Sequence, residues 1–181
     1  MADIKRRRID QIQDAGFLTD LGGLPLDELR SRRAMCDDLD VELSYYRRML
    51  HGRMDLLAFE MRRRAGEEQQ TLLEALPRIL SEGAYTPHPG LASRALSIEV
   101  PDLPSPGHRL IDRALQSDFL SRLPGLGDDE LRDTHAFLTE VEVEVSTQRK
   151  IVYAALDRLQ EELTRRYRDG LADPGELLAR Q

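Results

Sequence analysis

Apolar residues recur at steps of three and four along two long stretches of the chain. That spacing places them on one face of a helix, and the stretches predict two long helices over residues 29–64 and 129–168. Neither stretch contains Pro, and Gly52 is the one glycine within them. The apolar positions form two seams typical of a coiled coil, namely Cys36, Leu39, Leu43, Tyr46, Leu50, Met54, Leu57 and Met61 on the first helix and Val141, Val145, Gln148, Val152, Leu156, Leu159 and Leu163 on the second.

Helices of about 40 residues reach roughly 60 Å, so the two must lie side by side. The long connection between them favours an antiparallel pair. The predicted fold is therefore all-α, an antiparallel two-helix coiled coil of long helices with short helices and a Pro-rich connection. Glu67–Leu80, kinked at Pro77, and Leu110–Leu123 are the predicted short helices. The predicted segments are a flexible basic arm over 1–23, the first long helix over 24–66, short helices and a Pro-rich connector over 67–128, the second long helix over 129–170, and a C-terminal tail over 171–181.

Charge and cysteine content narrow the class of protein. The 181 residues carry a net charge of −7, which excludes a general basic field that would steer the protein onto nucleic acid. No apolar stretch is long enough to span a membrane, and the first ten residues lack the apolar core of a secretory signal. The single cysteine, Cys36, lies on the seam, which predicts a buried thiol in a reducing cytoplasm. We therefore expect a cytoplasmic protein without a nucleic-acid or membrane partner.

The two predicted long helices are copies of one sequence. A shift of 102 residues aligns 27–66 with 129–168 and gives about 14 identities, and such internal repeats are informative about architecture. Five polar positions, at offsets of 0, 4, 7, 11 and 15, recur in both copies and fall within an arc of roughly 80° on a helix. We number them positions one to five of the motif. They are Asp40, Ser44, Arg47, His51 and Asp55 in the first copy, and Glu142, Ser146, Arg149, Tyr153 and Asp157 in the second.

The side chains of this motif suit a guanine nucleotide. Arginine can donate two parallel hydrogen bonds to O6 and N7 of guanine, and a carboxylate can accept from the N1–H and the amine on the other edge. His51 and Tyr153 offer flat faces for stacking or a polar hydrogen bond. Serine and the neighbouring cations are candidates for phosphate contacts, and these cations are Arg48, Arg53 and Lys150.

The pattern resembles the E-x3-S-x2-R-x3-Q-x3-D signature of RsiG-type anti-sigma factors, which present it on the helices of an antiparallel coiled coil. The first copy reads DVELSYYRRMLHGRMD and the second EVEVSTQRKIVYAALD. Asp40 stands where the signature has Glu, and His51 and Tyr153 stand where it has Gln. The Ser, Arg and Asp positions are kept in both copies. The neighbouring sequences SYYRRMLHGRMDLL and LTRRYRDGLADPGELL also look like that family.

The resemblance implies a function as well as a fold. Proteins of this family bind cyclic di-GMP, so the resemblance implies two molecules of this ligand, with their bases stacked, and no metal. It further implies that the loaded protein holds a WhiG-type sigma factor away from RNA polymerase and so represses transcription of sporulation genes. The expected partners are therefore cyclic di-GMP and the sigma factor.

Other classes of function stay open from the residues alone. A structural coiled-coil adaptor without a nucleotide ligand is the main alternative, because a single polar stripe on an Arg-rich helix is usually a solvated face. An enzyme is not expected, since the sequence contains no P-loop, no G-x-S-x-G and no G-x-G-x-x-G. A metal site is not expected either, since the histidines at 51, 88, 108 and 135 have no ligand spacing with Cys36.

Overall fold

The computed structural model describes residues 7–82 and 109–170. Within these residues every regular element is helical, which confirms the all-α fold there. A single turn of 3₁₀ helix precedes each long helix, at Leu21–Gly23 and Leu123–Gly125. The α-helices are α1 (Arg8–Ile12), α2 (Leu26–Arg64), α3 (Leu72–Glu82), α4 (Leu110–Ala114), α5 (Phe119–Arg122) and α6 (Asp128–Arg168). The two predicted long helices are thus confirmed as α2 and α6.

Charged residues at both ends of each long helix stabilise the helix where it begins and ends. Both helices have acidic residues in the first turn and arginines in the last turn, as the helix dipole favours. Helix α6 begins at Asp128. The side chain of Glu130 accepts from the Gly127 N–H at 2.7 Å and satisfies the start of the helix. Gly66 and Gly170, with φ of +80° and +68°, follow the two helix ends in the left-handed conformation that glycine favours.

The chain divides into two compact units, and both long helices contribute to both. The first unit comprises Met1–Leu43 and Thr147–Gln181, and the second comprises Ser44–Ser146. Within each unit, the residue numbers of contacting side chains rise along α2 as they fall along α6, so the two helices are antiparallel there. These contacts are Arg30–Tyr167 and Asp40–Arg149 in the first unit, and Arg47–Glu142 and Arg64–Asp128 in the second.

The predicted seam supplies much of the core in each unit. Cys36 is fully buried, and this burial, together with the neighbouring Asp37 charge, raises the pKa of its thiol to about 11. Full burial of a leucine-sized side chain contributes about 1.5–3 kcal/mol to folding. The supercoiled geometry that the seam predicts stays a prediction. The buried seam residues are Cys36, Leu39, Leu43, Tyr46, Leu50 and Leu57 on α2, and Val141, Val145, Val152, Leu159 and Leu163 on α6.

The sequence repeat extends beyond the long helices. The same shift of 102 residues carries α1 onto α4 and the turn at Leu21–Gly23 onto the turn at Leu123–Gly125. Residues 7–26 and 109–128 share eight identities at this shift. The local contacts also repeat, since Arg7 and Arg109 each donate through Nε and Nη2 to the aspartate three residues later. The duplicated block therefore spans 7–66 and 109–168.

The structure differs from the flexible basic arm predicted over 1–23. From residue 7 onward this segment belongs to the core of the first unit, where Ile12, Phe17 and Leu21 are buried. The Arg32 guanidinium lies 5.3 Å from the centre of the Phe17 ring and donates to the Phe17 carbonyl. The spacing of these apolar residues, five and then four, lacks a helical period, so the pattern predicts an arm. Residues 1–6 lie outside the described residues.

The structure also refines the prediction for 67–128. Helix α3 continues through Pro77, and the helix predicted over 110–123 is divided into α4 and α5. Arg53 donates to the carbonyl oxygens of Ala114 and Gln116, both at 2.7 Å, and so satisfies acceptors at the break. The Pro-rich stretch over 84–107 and the tail over 171–181 lie outside the described residues. In the part of the chain that the structure describes, none of the helices is long and apolar enough to cross a membrane.

An arginine near the end of each long helix holds the chain that leads into the other one. In the first unit, Arg166 donates to the carbonyl oxygens of Leu21 at 2.8 Å and Gly22 at 3.1 Å. In the second unit its repeat counterpart, Arg64, donates to the Leu126 carbonyl at 2.8 Å. Each arginine also donates to a glutamate four residues earlier, Glu162 or Glu60. The duplication has therefore kept an attachment that lies outside the apolar seam.

Candidate functional site

The polar motif residues form one cluster in each unit. The first-unit cluster consists of Asp40, Arg149 and Tyr153. The second-unit cluster consists of Arg47, His51, Glu142 and Ser146. Both clusters join α2 to α6, and both contain a carboxylate from motif position one and an arginine from motif position three. The positions that share a stripe in the sequence therefore meet side chains of the other helix.

In the first-unit cluster, the arginine is held at two nitrogens. Arg149 Nε donates to Asp40 Oδ1 at 3.0 Å, and Arg149 Nη2 donates to the Tyr153 hydroxyl. The guanidinium carbon lies 4.9 Å from the centre of the Tyr153 ring, which adds a cation–π contact. The Tyr153 hydroxyl lies 3.4 Å from Asp40 Oδ2. Partial burial, together with the Asp40 charge, raises the pKa of Tyr153, so the hydroxyl stays protonated near neutral pH.

In the second-unit cluster, three side chains converge on one carboxylate oxygen. Ser146 Oγ donates to Glu142 Oε1 at 2.7 Å, Arg47 Nε donates to it at 2.9 Å, and His51 Nε2 lies 3.2 Å away. Burial alone raises the pKa of Glu142. The hydrogen bonds from Ser146, Arg47 and His51 outweigh that effect and lower the pKa to about 2. Glu142 is therefore ionised at any physiological pH.

The two clusters are built reciprocally from the two copies of the motif. Asp40 of the first copy accepts from Arg149 of the second, and Glu142 of the second copy accepts from Arg47 of the first. Position four also enters each cluster, as Tyr153, whose hydroxyl accepts from Arg149, or as His51, which lies against Glu142. The sequence repeat alone does not reveal this exchange, because it depends on the register between α2 and α6. The predicted antiparallel pairing is the feature of the sequence analysis that points towards this exchange. In such a pair, the start of the motif on one helix lies beside a later part of the motif on the other helix.

The remaining predicted site residues lie outside the two clusters and differ from one another in exposure and contacts. Asp55 is half-buried and Asp157 is exposed, and neither makes a hydrogen bond or ion pair within residues 7–82 and 109–170. Ser44 is half-buried, and Arg48 and Lys150 are exposed. Arg53 is engaged in the chain itself, since it donates to two backbone carbonyls and lies 4.8 Å from the centre of the Phe119 ring. Its contacts therefore explain packing and give no support to the predicted role in phosphate binding.

The clusters leave part of each arginine available for a ligand. Among the described residues, Arg47 donates through Nε alone, and its side chain is 41% exposed. A carboxylate that holds Nε restrains the plane of the guanidinium, and the terminal Nη groups of Arg47 make no hydrogen bond among the described residues. Two parallel donors in a fixed plane match the O6 and N7 acceptors of guanine. The arrangement is therefore chemically suited to a planar ligand that presents two acceptors.

The fold and the clusters define, over the described residues, an all-helical protein with a duplicated polar motif. A comparison with known families adds one match. Residues 15–80 match the family model described as RsiG-like, which confirms the resemblance to RsiG-type anti-sigma factors in that part of the chain. The matched range contains the first copy of the motif, whereas the second copy lies outside it. No curated protein matches the chain significantly. The family indicates an anti-sigma role with a sigma factor as partner.

Proposed function

We propose that the protein is a cyclic di-GMP-dependent anti-sigma factor that sequesters a WhiG-type sigma factor. The observation that carries this proposal is the reciprocal pairing of Arg47 with Glu142 and of Arg149 with Asp40. Each pair orients an arginine from one copy of the motif by a carboxylate from the other copy. A duplicated helix pair could fold on its apolar seam without these polar contacts, so their presence in both units supports a binding role.

Each cluster would recognise guanine through groups of opposite character. The outer nitrogens of Arg47 and Arg149 donate to O6 and N7, and the carboxylates of Asp55 and Asp157 accept from N1–H and the exocyclic amine. Exposed cations beside the motif, Lys150 among them, face the phosphates. Two molecules of cyclic di-GMP carry four phosphate charges, which a protein of net charge −7 can accept where arginines are concentrated.

The nucleotide would act by favouring the sigma-bound state. The apolar seam is sufficient to hold the two long helices, so the ligand is not required for folding. Cyclic di-GMP instead completes the surface that the sigma factor contacts, or fixes the spacing of the helices. When the nucleotide concentration falls, the sigma factor is released and sporulation genes are transcribed. By thermodynamic reciprocity, the sigma factor must strengthen nucleotide binding by the same factor, ordinarily about 1–3 kcal/mol.

The test is calorimetric titration of the full chain with cyclic di-GMP, alone and with the sigma factor. We expect wild-type protein to bind the nucleotide and to bind the sigma factor more tightly when it is present. The D55A/D157A variant should remain helical but lose nucleotide-promoted capture. The matched control is D38A/D133A, which removes two exposed carboxylates outside the motif, one from each long helix, and should behave as wild type. Equal sigma affinities at zero and saturating nucleotide would contradict the switch.

The reciprocal ion pairs also favour a second candidate function, a structural adaptor without a nucleotide. Interhelical pairs such as Arg149–Asp40 would help to align two helices even where no ligand binds. The two functions differ in a thermal melt with and without cyclic di-GMP. A ligand that binds only the folded state must raise the midpoint of unfolding, whereas an adaptor would melt at the same temperature in both conditions.

A further inference from the structure

The second unit contains a cavity that neither cluster uses. Its volume is about 270 Å³, and it lies between the α4–α5 segment, α2 and the first half of α6. Three arginines and one carboxylate, Asp118, line it together with aromatic, aliphatic and neutral polar side chains, so the lining carries a net positive charge. Arginine and aromatic residues are enriched where proteins bind partners. The lining residues that matter here are Arg53, Arg113, Arg122, Phe119, Phe137 and Leu138.

The three arginines have different roles in this cavity. Arg53 is fixed by the carbonyls of Ala114 and Gln116 and forms one wall over the Phe119 ring. Arg113 is exposed and lies 5.3 Å from the centre of the Phe137 ring; among the described residues it makes no hydrogen bond. Arg122 is 60% exposed on its side chain and has only a distant contact, 3.7 Å, with Asp118. Arg113 and Arg122 are therefore able to meet an incoming anion.

The duplicated block of the first unit lacks this charge. At a shift of 102 residues, Arg53 corresponds to Ala155, Arg113 to Gln11, and Arg122 to Asp20. In the first unit, Arg32 lies over the ring of Phe17, the counterpart of Phe119, and donates to the Phe17 carbonyl. The two blocks have thus kept the apolar framework and diverged in charge. Among the described residues, the three arginines of this cavity thus have no basic counterpart at the aligned positions of the first unit, which suits a partner that contacts the two units unequally.

The cavity also lies close to the second-unit cluster. Leu138, in its wall, is four residues before Glu142 on α6, which is one helical turn. Arg53 lies between His51 and Asp55 of the motif on α2. A change in helix spacing that accompanies a ligand at the cluster would therefore also alter the width of this cavity.

We propose that this cavity is a docking site for an acidic segment of the partner protein. Carboxylates of that segment pair with Arg113 and Arg122, and one apolar side chain enters between Phe119, Phe137 and Leu138. The charge of the cavity selects an anionic partner, and its apolar walls select a segment that carries a large side chain beside its acids. This inference rests on the proposed function, in which the partner is the sigma factor.

The experiment compares sigma-factor affinity for wild-type protein and the R113E/R122E variant at saturating cyclic di-GMP. Nucleotide affinity and helicity are measured on the same samples. We expect the variant to lose sigma affinity by about tenfold or more, because it opposes carboxylate to carboxylate, while nucleotide affinity stays within about twofold of wild type. R113K/R122K should recover most of the binding. The matched control is R33E/R158E, which makes the same charge change at two arginines of the first unit.

Each outcome bears on one of the two proposals. Unchanged sigma affinity in R113E/R122E would overturn the docking site and leave the proposed function standing. Equal loss of nucleotide and sigma binding would also overturn it, because the effect would then arise at the cluster. Failure of wild-type protein to bind the sigma factor at any nucleotide concentration would reject the proposed function first and the docking site with it. Binding that weakens with added salt in wild type but not in the variant would support the acidic partner.

Discussion

In the first unit Arg149 is held at two nitrogens, whereas in the second unit Arg47 is held at one. The difference comes from motif position four. Tyr153 occupies a terminal nitrogen of Arg149, while His51 lies against Glu142 and leaves the terminal nitrogens of Arg47 clear. The exposed fractions of the two arginine side chains follow this pattern, at 24% and 41%. The two copies of the motif thus form one cluster in which the arginine is held at two nitrogens and one in which it is held at one.

The comparison separates two functions that a polar cluster can perform. Glu142 contacts three side chains and restrains Arg47 at Nε, so under the proposed function the second-unit cluster can bind its ligand without breaking a hydrogen bond of Arg47. In the first-unit cluster, the Tyr153 hydroxyl occupies a terminal nitrogen of Arg149 that the proposed ligand would use. A ligand at Arg149 must therefore displace a hydrogen bond that a ligand at Arg47 does not meet.

The largest effect should follow removal of the two motif arginines. If the proposed function holds, Arg47→Ala and Arg149→Ala should each cost about 1–3 kcal/mol in affinity for cyclic di-GMP, because each would remove one proposed bidentate contact to guanine. The Arg47→Ala loss should be the greater, since no internal hydrogen bond competes for its outer nitrogens. Calorimetric titration of both single variants and the double variant measures this. Normal binding by a folded double variant would contradict the site, and R33A/R132A is a control of equal charge.

A second comparison concerns the arginines at the ends of the long helices. Arg166 is buried, so Arg166→Ala leaves the Leu21 and Gly22 carbonyls without their donor and should lower the free energy of unfolding by about 1–3 kcal/mol. Arg64→Ala should cost less, because its side chain is 24% exposed and water can reach its partners. Chemical denaturation of both variants measures the difference. A larger loss of stability for Arg64→Ala would mean that burial does not determine how much each attachment contributes to the free energy of unfolding.

The sequence predicts the long helices and their seams well because both depend on local spacing. Leu43, Leu50, Val145 and Val152 are all buried as the period requires. The sequence predicts the segment around Phe17 to be part of a flexible arm, because its apolar residues have no helical period, whereas Phe17 is buried in the first unit. The repeat would have corrected this, because Phe17 and Phe119 align at the shift already used for the motif.

The clusters could be predicted only in part. The sequence identifies Arg47, Arg149 and their carboxylates as residues of one stripe on each helix. It does not reveal that Glu142 accepts from Arg47, because that contact depends on how two helices pack. The contacts of Arg53 could not be predicted for the same reason, because its carbonyl partners lie more than 60 residues away in the chain. Chemistry on one helix face is visible in a sequence, whereas contacts across two faces require the packed structure.

Acid should weaken the second-unit cluster through Glu142. Its pKa of about 2 in the folded protein lies below the ordinary value of 4.5, so ionised Glu142 stabilises the fold above pH 4.5. That contribution should decline as the pH falls from about 4.5 to about 2. Glu142→Gln should lower the free energy of unfolding by about 1 kcal/mol at pH 7, and the gap to wild type should close across the same range. A gap that is independent of pH would show that the carboxylate charge is not responsible.

The smallest effect should come from the residue that distinguishes the clusters. Tyr153→Phe keeps the ring under the Arg149 guanidinium and removes the hydroxyl that occupies its terminal nitrogen. Because this hydroxyl competes with the proposed ligand for the same nitrogen, its loss in the free protein should make Arg149 easier to engage. We expect affinity for cyclic di-GMP to rise by about two- to threefold. Tyr167→Phe, which removes another hydroxyl on α6 that contacts Arg30, should leave the affinity unchanged. Weaker binding by Tyr153→Phe would instead mean that the hydroxyl itself contacts the nucleotide, and the first-unit cluster would then be part of the binding surface as it stands.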